Sequence, residues 1–404
     1  MEQITKMSSK QGMNDRIWTW AFIQLFLINS LSSLGHFMMN TLTPRYAEQL
    51  GASPSTVGVV ASAFAITALA VRPVVGPATT SFRNNRLFAA GNAVILASFV
   101  IYLFSYNVPA LMVGRLLQGI GMGFLAPVSM AMVSEVLPRS KFASGFGIFS
   151  LGQAIAMAVG PSAGLAVVDR FGYRGLFVFG AVLVGLSVVM SLMFKSKEPE
   201  RGIRFRISLD NFIAKEVWVP TVMMFFLSGA QATIQSFILI YGGLGGVEQI
   251  GLFFTVYAVC LLISRPVCGR VADRYGMDKM IIPGILVYAL AFVVISFART
   301  LPMFLLAGVL AAFGYGICQP LIQTLCMKMV PNERRGVASN TNYIGVDIGF
   351  FLMPIIAGWI VTLLANVGDG ILTAYSIMYQ VMLIPLGVAL TVFLVKRKKM
   401  RAFF

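Results

Sequence analysis

Residues Gly114–Gly164 read GRLLQGIGMGFLAPVSMAMVSEVLPRSKFASGFGIFSLGQAIAMAVGPSAG, two long apolar runs joined by the polar turn Pro138-Arg139-Ser140-Lys141. Shifted by 193 residues, the landmarks of this stretch reappear without a gap. Gly121, Gly123, Pro127, Pro138, Gly152 and Pro161 fall on Gly314, Gly316, Pro320, Pro331, Gly345 and Pro354. The same offset carries Arg72-Pro73, Gly76 and Pro109 onto Arg265-Pro266, Gly269 and Pro302. Five of the eight prolines before residue 195 land on prolines, where composition alone gives roughly 0.3 such coincidences, so the chain is a duplicated unit. Proline and glycine mark helix ends, kinks and close helix contacts, so what has been copied is backbone geometry.

With 58% hydrophobic and 11% charged residues and a mean hydropathy of +0.83, the chain is no ordinary soluble domain. Apolar runs near 20 residues long recur too often to be core helices, so they are read as bilayer spans. Their approximate limits are 18–40, 56–80, 87–106, 109–134, 142–167 and 174–194 in the first half. In the second half they are 217–241, 248–271, 280–298, 301–328, 336–365 and 371–395. The expectation is an all-α membrane protein of twelve transmembrane helices. Residues 1–194 and 216–404 would form two six-helix bundles related by a pseudo-two-fold along the membrane normal, joined by a cytoplasmic linker at 195–215. The first run lacks a small-residue cleavage site and reads as an uncleaved helix.

Orientation follows from lysine and arginine. With both termini cytoplasmic, the tails and the loops after even-numbered helices hold 24 of them, and the loops after odd-numbered helices hold four, Arg45, Arg170, Arg174 and Arg299. Arg72, Arg115 and Arg265 lie within helices or at their ends. The net charge of +16 is therefore a topology signal of the cytoplasmic membrane rather than a nucleic-acid footprint. The linker is too short for a domain, but its basic, partly apolar pattern suits a helix lying on anionic lipid. Cys260, Cys268, Cys318 and Cys326 sit in apolar runs without Cys-x-x-Cys spacing and read as small buried residues.

Two such halves joined by a basic link resemble the major facilitator superfamily over nearly the whole chain. Gly114-Arg115-Leu116-Leu117-Gln118-Gly119 is similar to that family's Arg-x-x-Gln-Gly signature in the fourth helix. Gly269-Arg270-Val271-Ala272-Asp273-Arg274-Tyr275-Gly276 resembles its Gly-x-x-x-Asp-Arg-x-Gly loop, which implies a gating role for Arg270, Asp273 and Arg274. The first-half copy departs from that pattern, with Thr80 where the second half has Asp273. Gly160-Pro161 with Gly164 resembles the motif of the drug–proton antiporter branch and implies export. Physics adds that Gly152, Ala156, Gly160 and Gly164 keep one face of the fifth helix small, so a neighbouring helix can approach closely.

Charge inside the bilayer is costly, roughly 2.5–3.5 kcal/mol at its centre, so rare residues there mark function. Asp347 is the only carboxylate well inside an apolar run, Arg115 the deepest cation and His36 the only histidine. Glu135, at the end of the fourth helix, reads as an interfacial anchor. A lone carboxylate in lipid favours either a proton or a cationic neighbour, Arg115 or a cationic substrate. Asp347 is therefore the expected proton-coupling residue, and the resemblance implies that Arg115 takes part in proton coupling with it. Each rare residue belongs to a polar stripe at helical spacing. Asn29, His36 and Asn40 lie along the first helix, Gln231 and Gln235 along the seventh, and Asn340, Tyr343 and Asp347 along the eleventh. Gln118, Gln153 and Gln323 lie on the fourth, fifth and tenth. Such stripes predict a shared substrate cavity between the halves, because lipid does not tolerate them.

One histidine and no paired intramembrane carboxylates supply neither a metal centre nor a nucleophile–base set, so no enzyme, metal or cofactor is expected. Filter loops, carboxylate rings and an ATP-binding loop are also lacking. Secondary transport of a small organic solute remains, by a monomer in membrane lipid with proton-coupled efflux favoured. An uptake-type symporter or a sodium-coupled porter for one metabolite is the alternative.

Overall fold

The computed structural model of the chain describes residues 17–137, 142–196, 198, 213–331, 335–366 and 370–400. Its elements are helical: α1 (Trp20–Gln49), α2 (Pro54–Ser81), α3 (Asn84–Leu103) and α4 (Val108–Val136), then one rod at Phe142–Met193. Within that rod Gly172 has φ 67°. Only glycine adopts this backbone readily, and it divides the rod into α5 (142–171) and α6 (173–193). After a 3₁₀ turn at Lys215–Val217 come α7 (Trp218–Leu244), α8 (Leu252–Tyr275), α9 (Met277–Phe297), α10 (Leu301–Lys328) and α11 (Arg335–Asn366). The last span is broken into α12 (Ile371–Val381) and α13 (Leu383–Met400). Pro385 lacks the N–H that would bond back across that break. Among the described residues, ten helical stretches are long and apolar enough to cross a membrane.

The repeated prolines acquire physical roles. Ser53 and Asn107 cap α2 and α4 by accepting from Thr56 N (3.4 Å) and Ala110 N (2.9 Å), with a proline in each first turn. Thr300 precedes α10 with Pro302 in the same place. A proline there forfeits no helical hydrogen bond. Pro127 and Pro320 sit inside α4 and α10, and Pro161 and Pro354 inside α5 and α11. α1 continues through Pro44 to Gln49, beyond the expected end at 40, with Thr41 and Thr43 buried. The turn at Pro138–Lys141 and the proposed lipid-lying part of the linker fall outside the described residues.

Packing within one half has a counterpart six helices later. The 142–193 rod packs on α1 and α3, and α4 on α2 and α3; correspondingly α11 packs on α7, and α10 on α8 and α9. The small face expected on α5 meets α1: a Cβ on Gly152 would crowd Ser30 and Phe26, one on Gly160 Phe37 and Met38, and one on Gly164 Leu42 and Met38. The halves touch through α2 on α11, the 142–193 rod on α8, and α1 on α7. Where α2 starts, backbones come together: a Cβ on Gly58 would strike the Pro354 carbonyl, and one on Gly358 the Pro54 carbonyl. Ser55 N also donates to Thr362 Oγ1 at 3.0 Å. We refer to this as the far end, since α2 returns from it toward the end where α1 begins, the near end. On the other flank Thr255 Oγ1 donates to Ser162 Oγ at 2.9 Å and Gly251 abuts Leu165.

Candidate functional site

Three polar groups stand out in the apolar interior. The first lies wholly within the first half. Arg115 is 0% exposed and donates Nε to Val60 O (3.1 Å), Nη2 to Ala61 O (2.6 Å), and Nη1 to Gln118 Oε1 (2.9 Å) and Asn40 Oδ1 (3.4 Å). Its guanidinium also lies 4.5 Å from the centre of the Phe64 ring, a favourable cation–π placement. Gln118 Oε1 additionally accepts from Tyr102 OH at 2.8 Å. Because Asn40 turns its oxygen toward an arginine, its amide nitrogen meets His36 Nε2 at 3.1 Å. That nitrogen must accept, which leaves the ring proton on Nδ1. His36 Nδ1 is buried with no partner among the described residues.

The second group crosses between the halves. Arg72 of α2 forms an ion pair and hydrogen bond, through Nε, with Asp347 Oδ2 of α11. The two side chains are only 9% and 14% exposed. Tyr343, one turn before Asp347, offers its ring to Arg72 at 5.3 Å and its hydroxyl accepts from Gln323 Nε2 at 3.4 Å. Of the two cations expected to favour ionised Asp347, Arg115 or a cationic substrate, Arg115 is engaged elsewhere. Arg115 is held by neutral acceptors inside its own half, and Arg72 supplies the cation to Asp347. The sequence reading passed over Arg72 as a partner for Asp347, counting it as a repeat landmark and among the arginines within helices or at their ends.

The third is a narrow crevice lined from one half by Asn40, Ala61 and Phe64 and from the other by Ala232, Gln235, Ser236, Phe350 and Pro354. Gln235 Oε1 is buried without a partner among the described residues. Asn40 and Gln235, expected on facing walls, thus line one space. Gln231 differs from expectation: its Oε1 accepts from Tyr288 OH at 3.0 Å, tying it into the second half. Gln118 Oε1 likewise accepts from Arg115 and Tyr102 inside the first half, while its Nε2 is buried without a partner among the described residues. Asn29 and Asn340 are half-buried, and Gln153 is exposed on the 142–193 rod; none of the three lines the crevice. The side chains of residues 265–275, with Arg270, Asp273 and Arg274, lie outside the described set. Glu135 accepts from Asn84 Nδ2 (2.7 Å) and Ser196 Oγ (2.7 Å), anchoring three segments at the near end. Cys260 is half-buried, and Cys318 and Cys326 are buried free thiols.

Long apolar helices enclosing buried charges and a polar crevice between two repeats define a multi-pass membrane transporter, not an enzyme. The chain belongs to the Major Facilitator Superfamily, whose model matches residues 25–246 and again 221–402. Among curated proteins it is similar to a Lactococcus lactis protein named multi-drug resistance efflux pump PmrA homolog, at 23% identity over 90% of this chain and 93% of that one. It is similar to the multidrug resistance protein MdtG of Escherichia fergusonii at 25% identity over 86% and 90%. An uncharacterised MFS-type transporter of Methanocaldococcus jannaschii is 21% identical over 79% and 85%. Among solved structures the fold matches the nucleoside transporter NupG, with a TM-score of 0.74 at 13% identity over 93% of this chain and 99% of that one. It also matches a POT family transporter in complex with a thioalcohol-conjugated peptide, with a TM-score of 0.75 at 14% identity over 94% and 96%.

Proposed function

We propose that the chain is a proton-coupled exporter of a small organic solute in the cytoplasmic membrane, working as a monomer by alternating access. In this reading residues 1–194 and 216–404 are two six-helix bundles related by a pseudo-two-fold along the membrane normal, joined by the linker 195–215. Both termini are cytoplasmic, so the near end faces the cytoplasm. The matched packing of helices six apart supports the two-fold, and the lysine and arginine distribution supports the orientation.

The single observation that carries the reading is the ionisable pair Arg72–Asp347 bridging the halves inside the membrane. A carboxylate there exchanges a proton at a place where the halves must move, which is what coupling requires. The substrate site is the crevice between Asn40 and Gln235, whose narrowness means it widens when the halves rock. Arg115 fixes the first-half wall of that crevice through Asn40. Arg270, Asp273 and Arg274 gate the near end. The names carried by the relatives of Lactococcus and Escherichia agree with outward movement of drug-like solutes. One proton moving down about 150 mV releases roughly 3.5 kcal/mol, enough to sustain a few-hundred-fold solute gradient.

Reconstituted vesicles test the reading. With a pH gradient imposed and a panel of acidic, neutral and cationic lipophilic dyes supplied, at least one dye is expected to move against its gradient and to dissipate the pH difference as it moves. Dye movement that ignores the pH gradient but follows an imposed sodium gradient contradicts it in favour of sodium coupling.

A further inference from the structure

Arg115 sets the hydrogen-bonding polarity of the first-half wall as well as its position. It is a buried cation whose hydrogen-bond partners are all oxygens, so each amide side chain it touches turns its oxygen toward the guanidinium and its N–H groups away. Asn40 gives Oδ1 to Arg115 at 3.4 Å, and its nitrogen faces His36 Nε2 at 3.1 Å. That bond uses one of its two N–H groups, and the other is what Asn40 has left for the crevice it lines. Behind it the same bias continues: Gln118 Nε2 and His36 Nδ1 are buried donors without a partner among the described residues.

The facing wall has the opposite character. Gln235 Oε1 is an acceptor buried without a partner among the described residues. Ser236 commits its hydroxyl proton to Ala232 O at 2.7 Å, so its lone pairs are what remains for a ligand. Phe64 and Phe350, whose rings meet edge to face across the halves at 6.3 Å, supply the apolar part of the same lining.

The repeat shows why the two walls differ. The 193-residue offset carries Arg115 onto Gly308, and carries Val60, whose carbonyl Arg115 binds, onto Phe253. A Cβ on Gly308 would press on the Phe253 carbonyl at 3.2 Å. The second half therefore closes its α8–α10 contact with a glycine where the first half inserts a guanidinium, and the α7 wall has no such cation at the matching place.

Charge narrows the choice of ligand. No charged residue lines the crevice among the described residues, and Asp347 is engaged by Arg72. The Phe64 ring centre is 4.5 Å from the Arg115 guanidinium, so a cation seated against Phe64 would lie within about 10 Å of that charge. At an effective dielectric of about 20 this weakens binding on the order of tenfold. An anion would gain from Arg115, but it has no proton to give the Gln235 and Ser236 oxygens, and buried acceptors left unsatisfied are costly.

We propose that the crevice selects an uncharged aromatic solute bearing an acceptor and a donor side by side, as a carboxamide does. Its carbonyl takes the Asn40 N–H, its own N–H reaches Gln235 Oε1 and Ser236 Oγ, and its ring lies against Phe64 and Phe350. The inference rests on the reading of this crevice as the substrate site.

The test uses the full chain in lipid nanodiscs, with empty nanodiscs as the blank, and four naphthalenes differing in one substituent. These are 2-naphthamide, methyl 2-naphthoate, 2-naphthylmethylammonium and 2-naphthoate, compared at pH 7.5 by equilibrium dialysis. The amide is expected to bind about 3- to 10-fold more tightly than the ester, which lacks the donor, and about tenfold or more tightly than either ion. In Gln235→Met with Ser236→Ala, which removes both acceptors, amide and ester should bind equally. An ion binding as tightly as the amide, no saturable binding of the amide, or an amide preference kept in the double variant overturns the proposal. If the double variant does not fold, the ranking on the native chain decides alone. Vesicle transport separates this claim from coupled export. If an ion binds as tightly as the amide and moves with the pH gradient, the substrate chemistry fails and proton-coupled export stands. If the amide shows the expected preference but its movement ignores the pH gradient, the substrate chemistry stands and the coupling fails.

Discussion

Two buried arginines, 43 positions apart in the same half, are solvated by the protein in opposite ways. Arg115 is fully enclosed and spends its donors on two backbone carbonyls of α2, Asn40 and Gln118. All of these partners belong to its own half, so in the proposed mechanism none moves away when the halves rock. Arg72 has its ionic partner, Asp347, in the other half. The contrast teaches that depth in the membrane does not by itself identify a working charge. In the proposed mechanism an arginine saturated by neutral acceptors within one half serves as scaffold, and one whose counter-ion lies in the other half takes part in coupling. Burying either is costly, but only the second cost is paid differently in different states of the transporter.

The comparison can be broken most severely at Arg115. Arg115→Met should strand Asn40, Gln118 and two carbonyls, destabilising the folded protein by about 2–5 kcal/mol, read as denaturant unfolding in detergent. Arg115→Lys keeps the charge but cannot serve the same acceptors at once, and a transport loss of tenfold or more is expected alongside a smaller stability loss. If Arg115→Lys is as stable and active as the native chain, the fork geometry is not what the site uses. Asp347→Asn should behave differently, with a stability loss of about 1–2 kcal/mol, loss of gradient-driven export, and measurable passive exchange. Equal stability losses at the two positions would erase the distinction between scaffold and mechanism.

Smaller effects sharpen the picture at the interface. Gly58→Ala places a methyl against the Pro354 carbonyl, and overpacking of this kind costs about 1–3 kcal/mol. The far-end contact should loosen, so cysteines placed on either side of it should label faster with a polar thiol reagent. Labelling at the native rate would mean that the glycine contact does not hold the far end shut. Gln235→Ala should raise KM for a transported dye by about 3- to 10-fold with kcat nearly unchanged, the size of one lost hydrogen bond. A change confined to kcat would remove Gln235 from the binding wall.

Much of the frame was legible in the sequence because proline and glycine leave positional marks. The constant offset placed Pro127 with Pro320 and Pro161 with Pro354, and each pair lies inside the corresponding helices. Asn40 and Gln235, which helical spacing and the cost of polarity in lipid both select, line one crevice. The partner of Asp347 was not legible. A sequence states which helices carry charge but not which helices touch across a repeat interface, and Arg115 drew attention through the family signature it resembles, although Arg72 lies at least as far from the end of its own helix. The cue that could have pointed to Arg72 was arithmetic, since Arg115 has a signature glutamine beside it, whereas Arg72 has no polar neighbour one turn away. Gln231 was misplaced for a related reason. It lies one turn from Gln235, but the hydroxyl that claims it, Tyr288, comes from α9, and such tertiary partners leave no periodic trace. The carbonyls of Val60 and Ala61 that hold Arg115 carry no sequence signal at all.

The central claim is that Asp347 carries the proton exchanged for substrate. Proton release on binding tests it most directly, using purified protein in weakly buffered detergent solution with a pH indicator and the dye that best dissipates the vesicle pH gradient. The native chain is predicted to release up to about one proton per dye molecule bound, and Asp347→Asn to bind the dye with no release. Equal proton release from both proteins would contradict the account.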